Sequence, residues 1–223
     1  MMKKIYTSMA VIILLGAGVS PLLCEPKAVR VLPVVKNTVV VTKETPVPKS
    51  AFKPFFVYRD QGSRDNHFLP YGLMGDISDM RIEQGCTENP HSGKYCIKIT
   101  YEAGISKGAG WIGVYWQQPA NNWDGAQKGY NLTGAQRLTF YARGAKGGEK
   151  VAEFKIGGIN IGNYSDSDSS SFGPVELTNV WQKYTIDLKG RNLSNIIGGF
   201  CWSTSKDLNP EGFIIYLDDI VYE

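Results

Sequence analysis

Residues 95–102 read YCIKITYE. Side chains alternate between the two faces of a strand, so Tyr95, Ile97, Ile99 and Tyr101 point one way and Cys96, Lys98, Thr100 and Glu102 the other. That is the pattern of a half-buried β-strand. Similar short runs of β-branched and aromatic residues recur at 55–59 (FFVYR), 80–85 (MRIEQG), 110–117 (GWIGVYWQ), 137–144 (RLTFYARG) and 151–158 (VAEFKIGG). They continue at 181–188 (WQKYTIDL), 196–202 (IIGGFCW) and 213–223 (FIIYLDDIVYE). Gly, Pro, Asn and Asp bound them, and no stretch holds a helical period with caps. The pattern predicts an all-β domain over residues 55–223, a two-sheet antiparallel β-sandwich of the jelly-roll type.

The preceding residues read differently. Lys3 and Lys4 lead into the apolar run MAVIILLGAGV at 9–19, the signature of a secretory signal. The run is short for a membrane span, which needs about 20 residues. Residues 1–24 are therefore expected to be a signal peptide or an N-terminal anchor, with Cys24 a possible lipid attachment site. Residues 25–54 are rich in Pro, Val and Lys and predict an extended linker. The chain is expected to be exported, either secreted or held at the cell envelope.

The whole chain carries 24 Lys and Arg against 21 Asp and Glu, a formal charge of +3. Eight of the basic residues and two of the acidic ones precede Phe55, so residues 55–223 carry −3. A mildly acidic domain argues against a nucleic-acid surface. Cys86 and Cys96 flank a turn-rich stretch in CTENPHSGKYC. Two paired strands there would bring the sulfurs together, and an oxidising compartment would permit a disulfide.

Catalytic constellations are missing. The two histidines, His67 and His91, lie in polar loops. There is no GxSxG turn, no phosphate-cradling GxxxxGK[ST] loop and no zinc-ligand spacing. Glu149 and Glu153 fall in one strand-like segment, not across a cleft as a glycosidase pair requires. Calcium is the one cofactor expected. It takes several oxygen ligands; Asp218 lies on the terminal strand, Asp60 follows the first strand, and Asp76 follows in YGLMGD. A meeting of the first and last strands would gather them.

The stretch WIGVYWQQPANNW at 111–123 is the strongest functional signal. Ile112, Val114 and Trp116 share the face expected to be core. Trp111, Gly113, Tyr115 and Gln117 share the other. Asn121, Asn122 and Trp123 follow in a loop, where binding groups commonly sit. Rings rimmed by amides suit a pyranose, whose C–H face lies on an aromatic ring while its hydroxyls seek polar partners. Trp111, Tyr115, Gln117, Asn121, Asn122 and Trp123 are the expected ligand site.

Taken in order, GWIGVYWQQPANNW, LTGAQRLTFYARG, EFKIGG, WQKYTIDL, LSNIIGGFCW and YLDDI resemble bacterial carbohydrate-binding modules of the galactose-binding-like jelly-roll superfamily. The resemblance covers nearly all of residues 55–223. It implies a non-catalytic module that binds a polysaccharide or cell-surface glycan, and a structural calcium held by an Asp of the last strand, here Asp218, with Asp60 nearest as its N-terminal partner. Cys201 departs from the pattern, standing where a small Gly is expected. The alternative is a structural or protein-interaction domain of the cell envelope with no sugar site.

Overall fold

A computed structural model describes residues 52–223. The signal segment, Cys24 and most of the linker lie outside the described residues. Thirteen strands and one 3-10 turn follow one another: β1 (Phe55–Tyr58), β2 (Leu69–Gly75), the turn Ile77–Asp79, β3 (Met80–Cys86), β4 (Cys96–Tyr101), β5 (Trp111–Gln117), β6 (Arg137–Gly144) and β7 (Lys150–Val151). Then come β8 (Glu153–Gly157), β9 (Ser169–Phe172), β10 (Val175–Glu176), β11 (Gln182–Asp187), β12 (Gly198–Ser205) and β13 (Phe213–Tyr222).

A five-stranded sheet runs β2-β5-β12-β8-β9, and a six-stranded sheet runs β11-β6-β13-β4-β3 with β1 also on β13. All the pairings are antiparallel. The expected all-β sandwich is the fold. The first and last strands meet, with Phe55 opposite Tyr222.

The alternation in each strand decides which side chains make the core. From the six-stranded sheet come Ile97, Ile99 and Tyr101 of β4, Leu138 and Phe140 of β6, and Ile215 and Leu217 of β13. From the five-stranded sheet come Ile112, Val114 and Trp116 of β5, Phe154 and Ile156 of β8, and Phe200 and Trp202 of β12. Phe140 lies 4.7 Å from Phe154 and 5.0 Å from Phe200 by ring centroids, so the two sheets interlock through aromatic rings. The Tyr222 hydroxyl donates to the Gly199 carbonyl at 2.5 Å and pins one sheet to the other. Gly199 is needed there because a Cβ would lie 2.5 Å from the Phe68 ring. Phe52, assigned to the linker from the sequence, already packs against this core.

Candidate functional site

Residues directly opposite in a sheet share a face. On the outer face of the five-stranded sheet, one rung runs Gly72, Tyr115, Cys201, Lys155, Ser171. The next runs Met74, Gly113, Ser203, Glu153. Ser205 pairs with Trp111 at the end of β5. A Cβ on Gly113 would meet the Met74 methyl at 2.7 Å, so the glycine lets Met74 lie across the floor. Lys155 and Glu153 are half-buried on this face and make no ion pair among the described residues. Neither belongs to the ligand set expected from the sequence. Their alternation with Phe154 and Ile156 was the signal that places them outward.

The expected aromatic residues are divided along this face. Trp111 is 40% exposed. Tyr115 lies four residues on, about 13 Å away at strand rise, and is only 6% exposed. Its hydroxyl donates to the Gly157 carbonyl at 2.9 Å, and burial first of all raises its pKa. Trp123 is half-buried and meets the Tyr115 ring edge-on, with centroids 5.6 Å apart. Tyr115 thus supports Trp123 more than it offers a stacking surface of its own.

Two expected amides are not at the surface. Asn122 is buried, and its side chain closes its own loop, donating to the Gln127 carbonyl at 2.7 Å and accepting from the Gln127 N–H at 3.3 Å. Gln117 is fully buried and neither amide atom has a protein partner. It extends over Gly72, where a Cβ would come within 2.8 Å of the Gln117 amide carbon. Asn121 remains exposed at the loop tip, in the left-handed region at φ 59°.

The Ser/Asp run YSDSDSSS at 164–171 is tightly held. Its Ser169–Ser171 part enters β9. Asp166 accepts N–H groups from Ile159 (2.8 Å), Ile197 (2.5 Å) and Gly198 (3.2 Å) and so docks the loop after β8 onto the entrance of β12, beside Tyr115.

The carboxylates expected to hold calcium do not form one cage. Asp76 is fully buried elsewhere, accepting from the backbone of Lys107 (2.8 Å), Ala109 (3.1 Å) and Gly110 (2.6 Å). Asp60 and Asp218 do converge, both on the 91–94 turn. Asp218 accepts from His91 (2.9 Å), Ser92 (3.2 Å) and Asp219 (2.9 Å), and Asp60 from Lys94 (3.1 Å) and Gln61 (2.9 Å). Their oxygens face N–H donors, whose positive ends disfavour a cation. Among the described residues no three His, Cys, Asp or Glu side chains are placed to hold a metal ion. These residues do not fit the calcium cage.

Burial, and next the charge of Asp219, push the Asp218 carboxyl up to about 7, against the pull of its backbone N–H donors. A carboxyl whose pKa is raised by folding binds its proton more tightly in the folded state. Its contribution is therefore fullest below the ordinary carboxylate pKa and is lost as pH rises towards 7. The melting temperature is expected to fall from pH 5 to pH 8, and Asp218→Asn to flatten that slope. Thermal melts at pH 5, 6.5 and 8 check it; parallel slopes would refute the assignment.

Cys86 and Cys96 are direct cross-strand partners, as expected, but they are free thiols here. With Tyr216 they form a small buried cluster on the outer face of the six-stranded sheet. Cys201 is a third free, buried thiol, in the middle of the candidate face. Its pKa is raised first by burial and then by Glu153. Arg143 belongs to the other sheet. Its guanidinium lies 3.6 Å from the Tyr216 ring centroid and 5.1 Å from that of Trp181, and donates to the Glu88 carbonyl at 2.8 Å. Glu149 accepts from the backbone of Lys146 and Gly147, both at 2.8 Å, so it braces a turn.

No family model and no curated protein matches this sequence. Solved structures do. A family 30 carbohydrate-binding module is similar with a TM-score of 0.53 at 15% identity, covering 78% of this chain and 88% of that one. Another, from the cellulosomal cellulase Cel9D-Cel44B of Clostridium thermocellum, has a TM-score of 0.51 at 15% identity, covering 77% of this chain and 97% of that one. At such identities the likeness is one of fold: residues 52–223 have the β-sandwich fold seen in family 30 carbohydrate-binding modules.

Proposed function

We propose that this chain is an exported, non-catalytic carbohydrate-binding module that holds a polysaccharide or cell-surface glycan on the outer face of the five-stranded sheet. The observation that carries the reading is the make-up of that face. Trp111 and Trp123 stand towards its two ends, and Met74, Ser203, Glu153 and Lys155 lie on the rungs between. Indole faces suit the C–H side of a sugar ring, and the hydroxyl, carboxylate and ammonium suit its hydroxyls. Asn121 adds an exposed amide at the rim. The fold shared with carbohydrate-binding modules supports the reading, although a fold alone does not assign a function. The apolar run at 9–19 and the Pro-rich stretch at 25–54 support export and tethering.

The protein-interaction alternative is favoured by one observation, the burial of Tyr115 and Gln117, which removes a ring and an amide from the face. A titration separates the two. Soluble polysaccharides are added while tryptophan fluorescence is followed in the wild type, Trp111→Ala and Trp123→Ala. Saturable binding is expected, weakened about tenfold or more in each variant, roughly 1.4 kcal/mol, with melting temperatures retained. No response to any polysaccharide would reject the glycan reading.

A further inference from the structure

Gln117 ends β5 on the same side of the sheet as Tyr115, in the candidate face. It is fully buried, and neither its amide oxygen nor its amide nitrogen has a hydrogen-bond partner among the described residues. Native proteins seldom leave a buried amide so, because the desolvation of both groups is then unrecovered. Asn209, also buried, shows the usual arrangement. Its nitrogen donates to the Lys150 carbonyl at 2.7 Å and the Thr204 hydroxyl at 2.8 Å, and its oxygen accepts from the Lys150 N–H at 2.9 Å.

The sheet is irregular beside Gln117. Both neighbouring strands break register there, β2 between Leu69 and Gly72 and β12 between Gly198 and Phe200. Irregularities of this kind re-aim side chains and gather beside functional sites. Glycines open the floor. A Cβ on Gly72 would lie 2.8 Å from the Gln117 amide carbon, and one on Gly198 would lie 2.8 Å from the Tyr115 ring. Gln117 and Tyr115 therefore lie against bare backbone.

Residues 119–124 form the roof. The chain leaves the sheet after Gln117 and turns back over the same face, since Trp123 meets the Tyr115 ring. Two anchors bound this segment. The Gln118 N–H donates to the Ile197 carbonyl at 3.0 Å, and the Gly125 carbonyl accepts from the Tyr164 N–H at 3.0 Å. Between them, no hydrogen bond among the described residues ties 119–124 to the rest of the domain. Its bonds are internal, from the Trp123 N–H to the Asn121 carbonyl at 2.8 Å and between the Asn122 side chain and Gln127.

We propose that Gln117 is a covered part of the glycan site: residues 119–124 lift as a lid, and the amide then takes two adjacent hydroxyls of one sugar ring. This rests on the proposed function. The amide presents an acceptor and a donor side by side, and a pair of neighbouring hydroxyls offers the matching donor and acceptor. Trp123 rides on the lid, so closure and ring stacking become one movement. A sugar lacking either hydroxyl leaves the amide unpaired and is discriminated against.

Two measurements on the full chain test this. The first needs no glycan. Hydrogen exchange of the Gln117 side-chain NH2, followed by NMR, is expected to occur by local opening, at a rate unaffected by low concentrations of urea. The core N–H groups of β5 and β12 should exchange through urea-sensitive global unfolding. Exchange of Gln117 only together with that core would overturn the lid. The second compares wild type with Gln117→Met, which keeps a similar shape without the amide, in titrations with soluble xylan, mixed-linkage β-glucan and galactomannan. The variant is expected to melt no lower than wild type, since an unpaired amide is removed. It should nevertheless bind about tenfold or more weakly. Undiminished binding by the folded variant would overturn the role of Gln117, assign its amide to an enclosed water, and leave the proposed function standing. A wild type that binds none of the three would instead reject the glycan reading, and the role of Gln117 with it.

Discussion

Asp166→Ala is expected to destabilise the domain by about 3 kcal/mol, among the largest single-site losses outside the apolar core. The side chain is 7% exposed and accepts three backbone N–H groups that are 31 or more residues apart in two of the three cases. Alanine would leave Ile159, Ile197 and Gly198 without acceptors. Each stranded donor costs about 1–3 kcal/mol, reduced where the loop relaxes and water enters. For a domain of this size the change corresponds to a melting temperature lower by roughly 6–12 °C. Asp166→Asn keeps one carbonyl oxygen and should lose less than half as much. The same substitution tests function: the loop after β8 lies beside Tyr115, which holds Trp123, so Asp166→Ala should also weaken any polysaccharide binding measured below its melting range. Equal stability of wild type and Asp166→Ala would refute the bracing role.

The second large effect concerns the thiols. Cys86 and Cys96 are direct partners across β3 and β4, and burial with the neighbouring Cys86 thiol raises Cys96 to about 12. At rest the Cys96 thiol is protonated and unreactive. Oxidised glutathione, applied in mild denaturant that opens the strand pair, is expected to join them. The loop closed is short, so the bond should add about 2–3 kcal/mol by the chain-entropy account. Denatured-state thiol titration should then find two fewer of the four cysteines. The melting temperature should rise by roughly 4–12 °C. Cys96→Ser should abolish both changes. No loss of thiols in wild type would mean that the bulge at Glu83–Cys86 holds the sulfurs apart.

Most of the architecture was legible because burial writes a period into the chain. YCIKITYE, RLTFYARG and FIIYLDDIVYE each alternate, and each is a strand with its apolar set in the core. The strands that escaped notice lack that signal. β2 holds Pro70, Gly72 and Gly75, and as an edge strand it leaves its apolar set exposed. β9 is mostly serine; it is a strand because β8 supplies a ladder and Asp168 and Asp166 fix its approach, neither of which is local information. The site was legible in part. Parity placed Trp111, Tyr115 and Gln117 on the outer face, but parity cannot tell an outer face that is open from one covered by loops. Hence Gln117 and Asn122 are buried, while Lys155 and Glu153 share the exposed floor. The three acids form a set in the sequence only through the expectation that the first and last strands meet and gather them. Asp76 went instead to the 107–110 loop, since three unpaired N–H groups there satisfy a carboxylate without any metal.

The pairing of Phe55 with Tyr222 has a mechanical consequence. The two strands run antiparallel, so the entering and leaving ends of the fold lie side by side. A pull applied across these two points loads the β1–β13 bonds one at a time, as a zipper is opened, instead of straining them all in parallel. Tension carried through both ends should therefore peel β1 away at low force. Tension applied through one end and a polymer held on the opposite sheet bypasses that seam and loads the interlocked aromatic core.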